Sequence, residues 1–489
     1  MEQFLGGLQI LLNWQNFLII PVGLVIGIVV GAIPGLTSDL GIILCIPLTY
    51  GMDPTMAILM LLAIYCGGTY GGSITAILIN TPGTSANAAT LFDGYPMTVK
   101  GQAFKALQMA LYASTIGGLI SAFSLLFLAP LIAKITLLFG PAEYFALAVF
   151  GLSIITSVSA GNVIKGIMGG ILGLFLATVG IDAMSGAIRF TLDTTYLMGG
   201  VSFIPILIGV FALSQALQSV EDCWQKSQVK QQLAIDRTLP SPADLKRCFV
   251  TLLRSSAIGT FIGCVPGTGG DIASFVAYDQ AKRWSKYGSR FGTGEPEGIV
   301  APEAGNNAVS GGAFIPVLTL GIPGDGATAI MMGALMVQGL QPGPLLFSEK
   351  APDVYAIFIG LLLANVIMAC MGYSLIRLFV KVTDVPQTVL LPLIIVMTFV
   401  GTYSYGNSMN DVLLMVVSGF AGYILNKLHF SMSAVIIGII LGGMAEQNFV
   451  GSLIMSDGNP TIFFTRPISL FFLAAAAVSL AAPFVMKKK

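Results

Sequence analysis

Long apolar stretches separated by short polar clusters run from Phe17 towards the end of the chain. Each is about 20 residues, the length a helix needs to cross a hydrocarbon core. Residues 36–49 and 268–278 are too short for this, since as helices they would reach only about 15 to 20 Å against a core of about 30 Å. Each reads as one arm of a re-entrant hairpin. Non-helical backbone at that depth is tolerated only inside protein or beside a wet cavity, so the hairpins should line one. The pattern predicts an all-α polytopic membrane protein of about eleven transmembrane helices plus a pair of re-entrant hairpins.

Polar positions set the orientation. Basic residues cluster at Lys100 and Lys105, along Glu221 to Arg254, along Lys282 to Arg290, at Arg377 and Lys381, at Lys427 and at Lys487 to Lys489. Basic loops favour the cytoplasm. The intervening loops Tyr50 to Thr55, Asp182 to Asp193, Glu349 to Asp353, Tyr403 to Asp411 and Glu446 to Asp457 then lie outside, with the N-terminus outside and the C-terminus inside.

Glycine-proline breaks interrupt the apolar sequence at corresponding places in the two halves. Gly31, Pro34 and Gly35 match Gly263, Pro266 and Gly267, and Asp39 matches Asp271. Farther on, GGSITAILINTPG (Gly71 to Gly83) resembles GGAFIPVLTLGIPG (Gly311 to Gly324). The loop after the first hairpin has no basic residue, whereas the loop after its counterpart is basic, and after the later breaks the signs swap. Equivalent loops on opposite sides mean an inverted repeat, and paired breaks point to a transporter's binding site. The chain divides into a first repeat, 1–217, a cytoplasmic linker, 218–254, marked by Pro240 and Pro242, and a second repeat, 255–489. The alternative is that glycine and proline merely kink helices for packing.

Composition adds exclusions. Only 9% of the 489 residues are charged and the formal net charge is zero, so nothing suggests nucleic acid as a partner. The N-terminal sequence has neither a basic n-region nor a small-residue cleavage site, so its first apolar run is expected to stay. The six cysteines, Cys45, Cys66, Cys223, Cys248, Cys264 and Cys370, include no C-x-x-C pair and read as small core residues. His429 is the one histidine and reads as interfacial. The terminal lysines read as a topology anchor.

The strings PGLTSDLG, IYCGGTYGGSITAILINTPGT, TLFDGYPM, APEAGNNAVSGGAFIPVLTLGIPGD and GLQPGPLLF resemble the large membrane subunit of the tripartite tricarboxylate transporters, the TctA family. The similarity runs over nearly the whole chain. It implies a cation-coupled importer of a di- or tricarboxylate such as citrate, in the bacterial inner (plasma) membrane, coupled to Na+ or H+ and without another cofactor. It also implies a small membrane subunit and a periplasmic solute-binding protein as partners. Asp39 and Asp271 depart from the resemblance, which assigns them no role.

A carboxylate calls for donors, and helix N-termini supply them through free N–H groups and the dipole. The substrate-binding candidates are Pro34, Gly35, Thr37 and Ser38; Gly83, Thr84 and Ser85; and Pro266, Gly267, Thr268, Gly269 and Gly270. A coupling cation calls for oxygen ligands. The candidates are Asn80, Thr81, Asn306, Asn307, Gly324, Asp325 and Thr328, with Asn306 and Asn307 equally readable as helix-to-helix glue. Glu303, an acid within a spanning segment, could carry a proton, although water near a cytoplasmic end would make it ordinary. Asp93 reads as a turn or helix cap. Sodium is favoured because Asn80, Thr81 and Asp325 offer one acid among neutral oxygens.

The rival readings are a channel and a membrane-embedded aspartyl protease. For the protease, Tyr278-Asp279 and GIPGD fit the pattern only in part, because Ile322 stands where its first glycine should be. No HExxH or GxSxG string is present, which removes the usual hydrolase signatures.

Overall fold

The computed structural model describes residues 2–153, 155, 163–182, 184–225, 238–382 and 387–486. Among them the chain is helical apart from loops and one small hairpin, in which Gly180–Ile181 pairs antiparallel with Ile188–Arg189. Eight helices among the described residues are long and apolar enough to cross a membrane. The chain is therefore an all-α, multi-pass membrane protein.

It forms two compact units, each assembled from two separate segments of the chain; residues 226–237 and the terminal lysines 487–489 lie outside the described residues. The first unit comprises Met1–Ala133 and Ser219–Ile394. The second comprises Lys134–Gln218 and Ile395–Lys489. The stretch read from sequence as a linker is helical at both ends: Ser214–Gln225 enters it, and Pro242–Cys264 begins inside it. That second start is dictated locally, since Ser241 and Asp244 make a reciprocal capping box and Pro242 occupies the first turn.

Eight helices of the first unit build the site. They are α1 (Trp14–Gly31), α2 (Ser38–Cys45), α3 (Pro54–Ile79), α4 (Leu91–Val99), α5 (Pro242–Cys264), α6 (Gly269–Trp284), α7 (Glu297–Leu320) and α8 (Gly326–Val337). Helices α3 and α7 are buried nearly throughout. One packing device recurs on both. Gly23, Gly27 and Gly31 of α1 lie against the backbone of Met60, Ile64 and Gly68 on α3, and Gly259 and Gly263 of α5 lie against Gly305 and the Val309–Ala313 turn of α7. Small residues four apart let two backbones approach without intervening side chains, the favoured contact where the surrounding solvent is lipid.

Each break falls where the sequence places it. Residues 32–37 separate α1 from α2, and 265–268 separate α5 from α6. Asn80 ends α3 in the left-handed conformation at φ 54°, and Gly321 ends α7 at φ 68°. Pro82 and Pro323 then prevent continuation by withholding a backbone N–H. Helix α6 is longer than the 268–278 arm read from sequence, because its polar end, with Lys282 and Arg283 in the last turn, stays helical to Trp284. Basic residues there suit the negative end of the helix dipole.

In the second unit, Met432–Met455 packs on both Pro141–Ser153 and Val163–Ala177. Glu143 is buried and paired with Arg466 at 2.6 Å, and Arg189 forms a two-pronged pair with Glu446. His429, at φ 57°, lies in the turn after Met409–Lys427. Of the five cysteines whose side chains are described, Cys45, Cys66 and Cys248 are buried as expected, Cys264 is half-buried and Cys370 is exposed. Cys370 thus departs from a core role, because it lies on an outward face of the Ala351–Val382 helix.

Candidate functional site

The break tips of α1–α2, α3–α4, α5–α6 and α7–α8 meet within the first unit. Gly267 donates its N–H to the carbonyl of Gly324 at 2.7 Å, tying the α5–α6 tip to the α7–α8 tip. In the other pair Gly83 donates to Gly72 at 3.2 Å and lies against the carbonyl of Gly31. Gly35 and Gly267 both take positive φ, 87° and 77°, a turn that glycine makes without a Cβ penalty. Pro34 is half-buried and Pro266 buried beside them.

The hydroxyl candidates divide by what they bond. Thr37 caps α2, accepting from the N–H of Leu40 at 3.3 Å. Ser38 is buried against Gly68. Thr84 donates to Asn87 Oδ1 at 2.5 Å, whereas the next residue, Ser85, is exposed and donates to Asp271 at 2.9 Å. Thr268 turns back on the preceding helix, donating to the carbonyls of Ile262 and Val265, which leaves the N-terminus of α6 without a side-chain cap. Gly269 and Gly270 form that terminus, and the amide oxygen of Asn306 lies where a Cβ on Gly270 would stand.

Asp325 caps α8. One of its oxygens accepts from the N–H of Thr328 at 2.8 Å and from that hydroxyl at 2.7 Å, and the other accepts from the Tyr65 hydroxyl at 2.5 Å. Asp39, in the first turn of α2, lies within electrostatic reach of Asp325 and Asp271. Three acids from three helix N-termini therefore share one region. Gly324, buried, packs against Ala313 beneath it.

Asn80 and Thr81 are exposed, and the Thr81 hydroxyl donates to Ile79 at 3.3 Å. No hydrogen bond joins them to the three acids among the described residues, so the oxygen set read from sequence is not closed around one point. Asn307 donates to the carbonyl of Glu303 one turn back, at 3.1 Å. Asn306 is 3% exposed and its Nδ2 has no hydrogen-bond partner among the described residues.

Glu303 is not near water, as the sequence reading allowed, but fully buried. Three side chains donate to its carboxylate: Asn87 at 3.1 Å, Thr90 at 2.5 Å and Ser114 at 3.0 Å. Asp93 is likewise not a cap of its own helix. It accepts from the backbone N–H groups of Gly292, Gly294 and Glu295 and from the Tyr278 hydroxyl, clasping the loop between α6 and α7. Sequence reasoning missed Tyr65, Asn87, Thr90 and Ser114. The only available signal was a polar side chain within an apolar run.

The family model described as tripartite tricarboxylate transporter TctA family matches residues 17–437. An uncharacterised 52.8 kDa protein in the TAR-I ttuC' 3' region of Agrobacterium vitis is 35% identical over 456 residues, covering 93% of this chain and 90% of that protein. A second, from the TAR-II ttuC' 3' region of the same organism, is 35% identical over 220 residues, 45% of this chain and 91% of its own length. No solved structure gives a significant match.

Proposed function

The chain belongs to the tripartite tricarboxylate transporter TctA family, a transporter family rather than an enzymatic one, and on that premise we propose that it is the large membrane subunit of a cation-coupled importer of a di- or tricarboxylate. The observation that carries the proposal is the meeting of all four break tips, with Gly267 bonded to Gly324, Ser85 to Asp271 and Tyr65 to Asp325. Unwound backbone offers N–H groups to an anion and carbonyls to a cation, the arrangement of a secondary transporter's midplane site. An inverted repeat with alternating access agrees with break tips built alike in both halves. The repeats would be 1–217 and 255–489, joined in the cytoplasm.

In this reading the protein resides in the bacterial inner membrane with a small membrane subunit and takes its solute from a periplasmic solute-binding protein. Sodium is favoured over the proton as coupling ion, because the two Asp325 oxygens accept from the neutral hydroxyls of Tyr65 and Thr328, oxygen groups of the kind a hard cation takes. A channel is the second reading, and it would need no coupling ion.

Uptake of labelled citrate, malate and succinate into proteoliposomes tests this, using the chain alone and with its two partner subunits. The complete system should concentrate at least one carboxylate under an inward sodium gradient, and the chain alone should give little uptake at micromolar solute. Thr328→Ala, which removes a hydroxyl bonded to Asp325, should raise the sodium needed for half-maximal uptake without changing the response to pH. Equilibration without accumulation would favour the channel.

A further inference from the structure

Away from the break tips, the start of α5 and the end of α6 hold a surplus of positive charge. The acids at this end are already taken: Asp244 pairs with Lys105 at 2.7 Å, Asp279 with Arg283 at 2.8 Å, and Glu295 and Glu297 with Arg247. Lys246, Arg254, Lys282, Lys286 and Arg290 make no ion pair among the described residues. Aromatic rings hold the arginines. Arg247 lies 3.7 Å and Arg290 5.2 Å from the centre of the Tyr287 ring, and Arg254 lies 4.8 Å from that of Trp284.

Arg254 is set in an apolar face. Its outward neighbours on α5, Val250, Leu253, Ala257 and Phe261, are all exposed, so the surroundings of this face are hydrocarbon. A charge there is costly unless it reaches the headgroup level. Trp284 marks that level, since it is exposed and closes α6 directly after Lys282 and Arg283, the position of an interfacial anchor. The guanidinium Nε and Nη2 are closed off from solvent without a hydrogen-bond partner, and Glu297, within electrostatic reach, already serves Arg247. The residue as a whole is only half-buried, so an acceptor from outside the chain can meet the group at Nη1. A phosphate diester supplies opposite charge at that point, and its acyl chains lie along the apolar face above it. Water would supply neither.

We propose that Arg254 and Trp284 form a site for the phosphate of an anionic phospholipid, with Arg254 donating to the phosphate and Trp284 holding the guanidinium in place. The unpaired Lys246, Lys282, Lys286 and Arg290 favour a headgroup with net negative charge over a zwitterionic one. The site is separate from the break tips and does not depend on which solute the chain carries.

The test uses the full-length chain in neutral detergent, alone and with its small membrane subunit. It is titrated with phosphatidylglycerol, with phosphatidylcholine and with inorganic phosphate, while native mass spectrometry counts bound lipid and thermal unfolding is followed in parallel. Phosphatidylglycerol should bind about tenfold more tightly than phosphatidylcholine and raise the unfolding temperature, and inorganic phosphate should do neither. Arg254→Gln should abolish most of that preference, Arg254→Lys should keep part of it, and Trp284→Leu should weaken it. If Arg254→Gln does not fold, Trp284→Leu and the preference of the parent decide. Equal binding of the two lipids, or a preference that Arg254→Gln and Trp284→Leu leave unmoved, would overturn the proposal. Stabilisation by inorganic phosphate equal to that by phosphatidylglycerol would make this a site for a soluble anion and overturn it too. Lipid bound by the chain alone but excluded by the small subunit would assign the face to a protein interface, with the same result.

Discussion

The hydroxyl of Tyr65 donates to a carboxylate oxygen of Asp325 at 2.5 Å, linking the middle of α3 to the cap of α8 across 260 residues of sequence. A hydrogen bond to a charged group contributes about 1.5 to 3 kcal/mol. Tyr65→Phe should therefore lower stability in detergent by about 2 kcal/mol and, with one Asp325 oxygen released, shift the sodium concentration for half-maximal uptake. Thermal unfolding and a sodium titration read the two effects separately. An unmoved titration curve would remove Asp325 from the coupling site.

Glu303 is held by Asn87, Thr90 and Ser114. Alanine there would strand three buried donors, each costing about 1 to 3 kcal/mol, so Glu303→Ala should cut the yield of folded protein sharply. Glu303→Gln keeps an acceptor and should fold. If the Gln variant loses proton-driven uptake in sodium-free buffer, Glu303 carries the coupling proton and the preference for sodium is wrong.

The break glycines should differ in sensitivity according to what surrounds them. A Cβ on Gly35 meets nothing within 4 Å, so Gly35→Ala costs only the left-handed backbone penalty of about 1 to 2 kcal/mol. On Gly324 the Cβ would stand 2.5 Å from that of Ala313 and 2.7 Å from the Gly263 carbonyl, and Gly83 is equally enclosed by Gly31 and Gly72. Gly83→Ala and Gly324→Ala should each cost about 3 kcal/mol or more. The amount surviving detergent extraction and heating should rank Gly35→Ala well above both.

Cysteine labelling checks the topology read from charge. Met52→Cys should react with an impermeant thiol reagent applied from the periplasm, and Lys286→Cys should not. The reverse pattern would dismantle the inverted-repeat argument.

Asp182, in the small hairpin outside the helices, is held below the usual carboxylate range by the Ser185 hydroxyl and then by backbone N–H groups and Arg189. A lowered native value means that its contribution is present above the ordinary value of 3.8 and is lost as pH falls through the depressed one. The hairpin should keep its amide protection at neutral pH and lose it below about pH 4, in the range where carboxylates titrate. Asp182→Asn should remove that pH step. Hydrogen exchange over residues 184–190 reads it.

The breaks were legible because proline and glycine carry their conformational consequences in their own covalent structure. Asn80 and Gly321, both in the left-handed region, end the corresponding helices just before Pro82 and Pro323. The helical class and the short arm of α2 followed from apolar length. Partners were not legible. Asp93 read as a turn residue because its local string, DGYP, says so, yet its hydrogen bonds go to Tyr278, Gly292, Gly294 and Glu295, all about 200 residues away. Nothing within one helical turn of Glu303 announces Thr90 or Ser114. The acids were visible one by one, but only the fold brings Asp39, Asp271 and Asp325 into each other's fields.

The Thr90–Glu303 bond has a consequence for biogenesis. Its two ends are 213 residues apart, and at roughly 5 to 20 residues per second the ribosome needs about 10 to 40 s to produce the acceptor after the donor. Throughout that interval Asn87 and Thr90, in the break before α4, and Ser114, in the helix Ala103–Thr136, are without their carboxylate. All of 134–218, which belongs to the other compact unit, is made in the meantime. The Glu303 hydrogen bonds therefore form only after α7 has been made, so this part of the first unit closes late in synthesis.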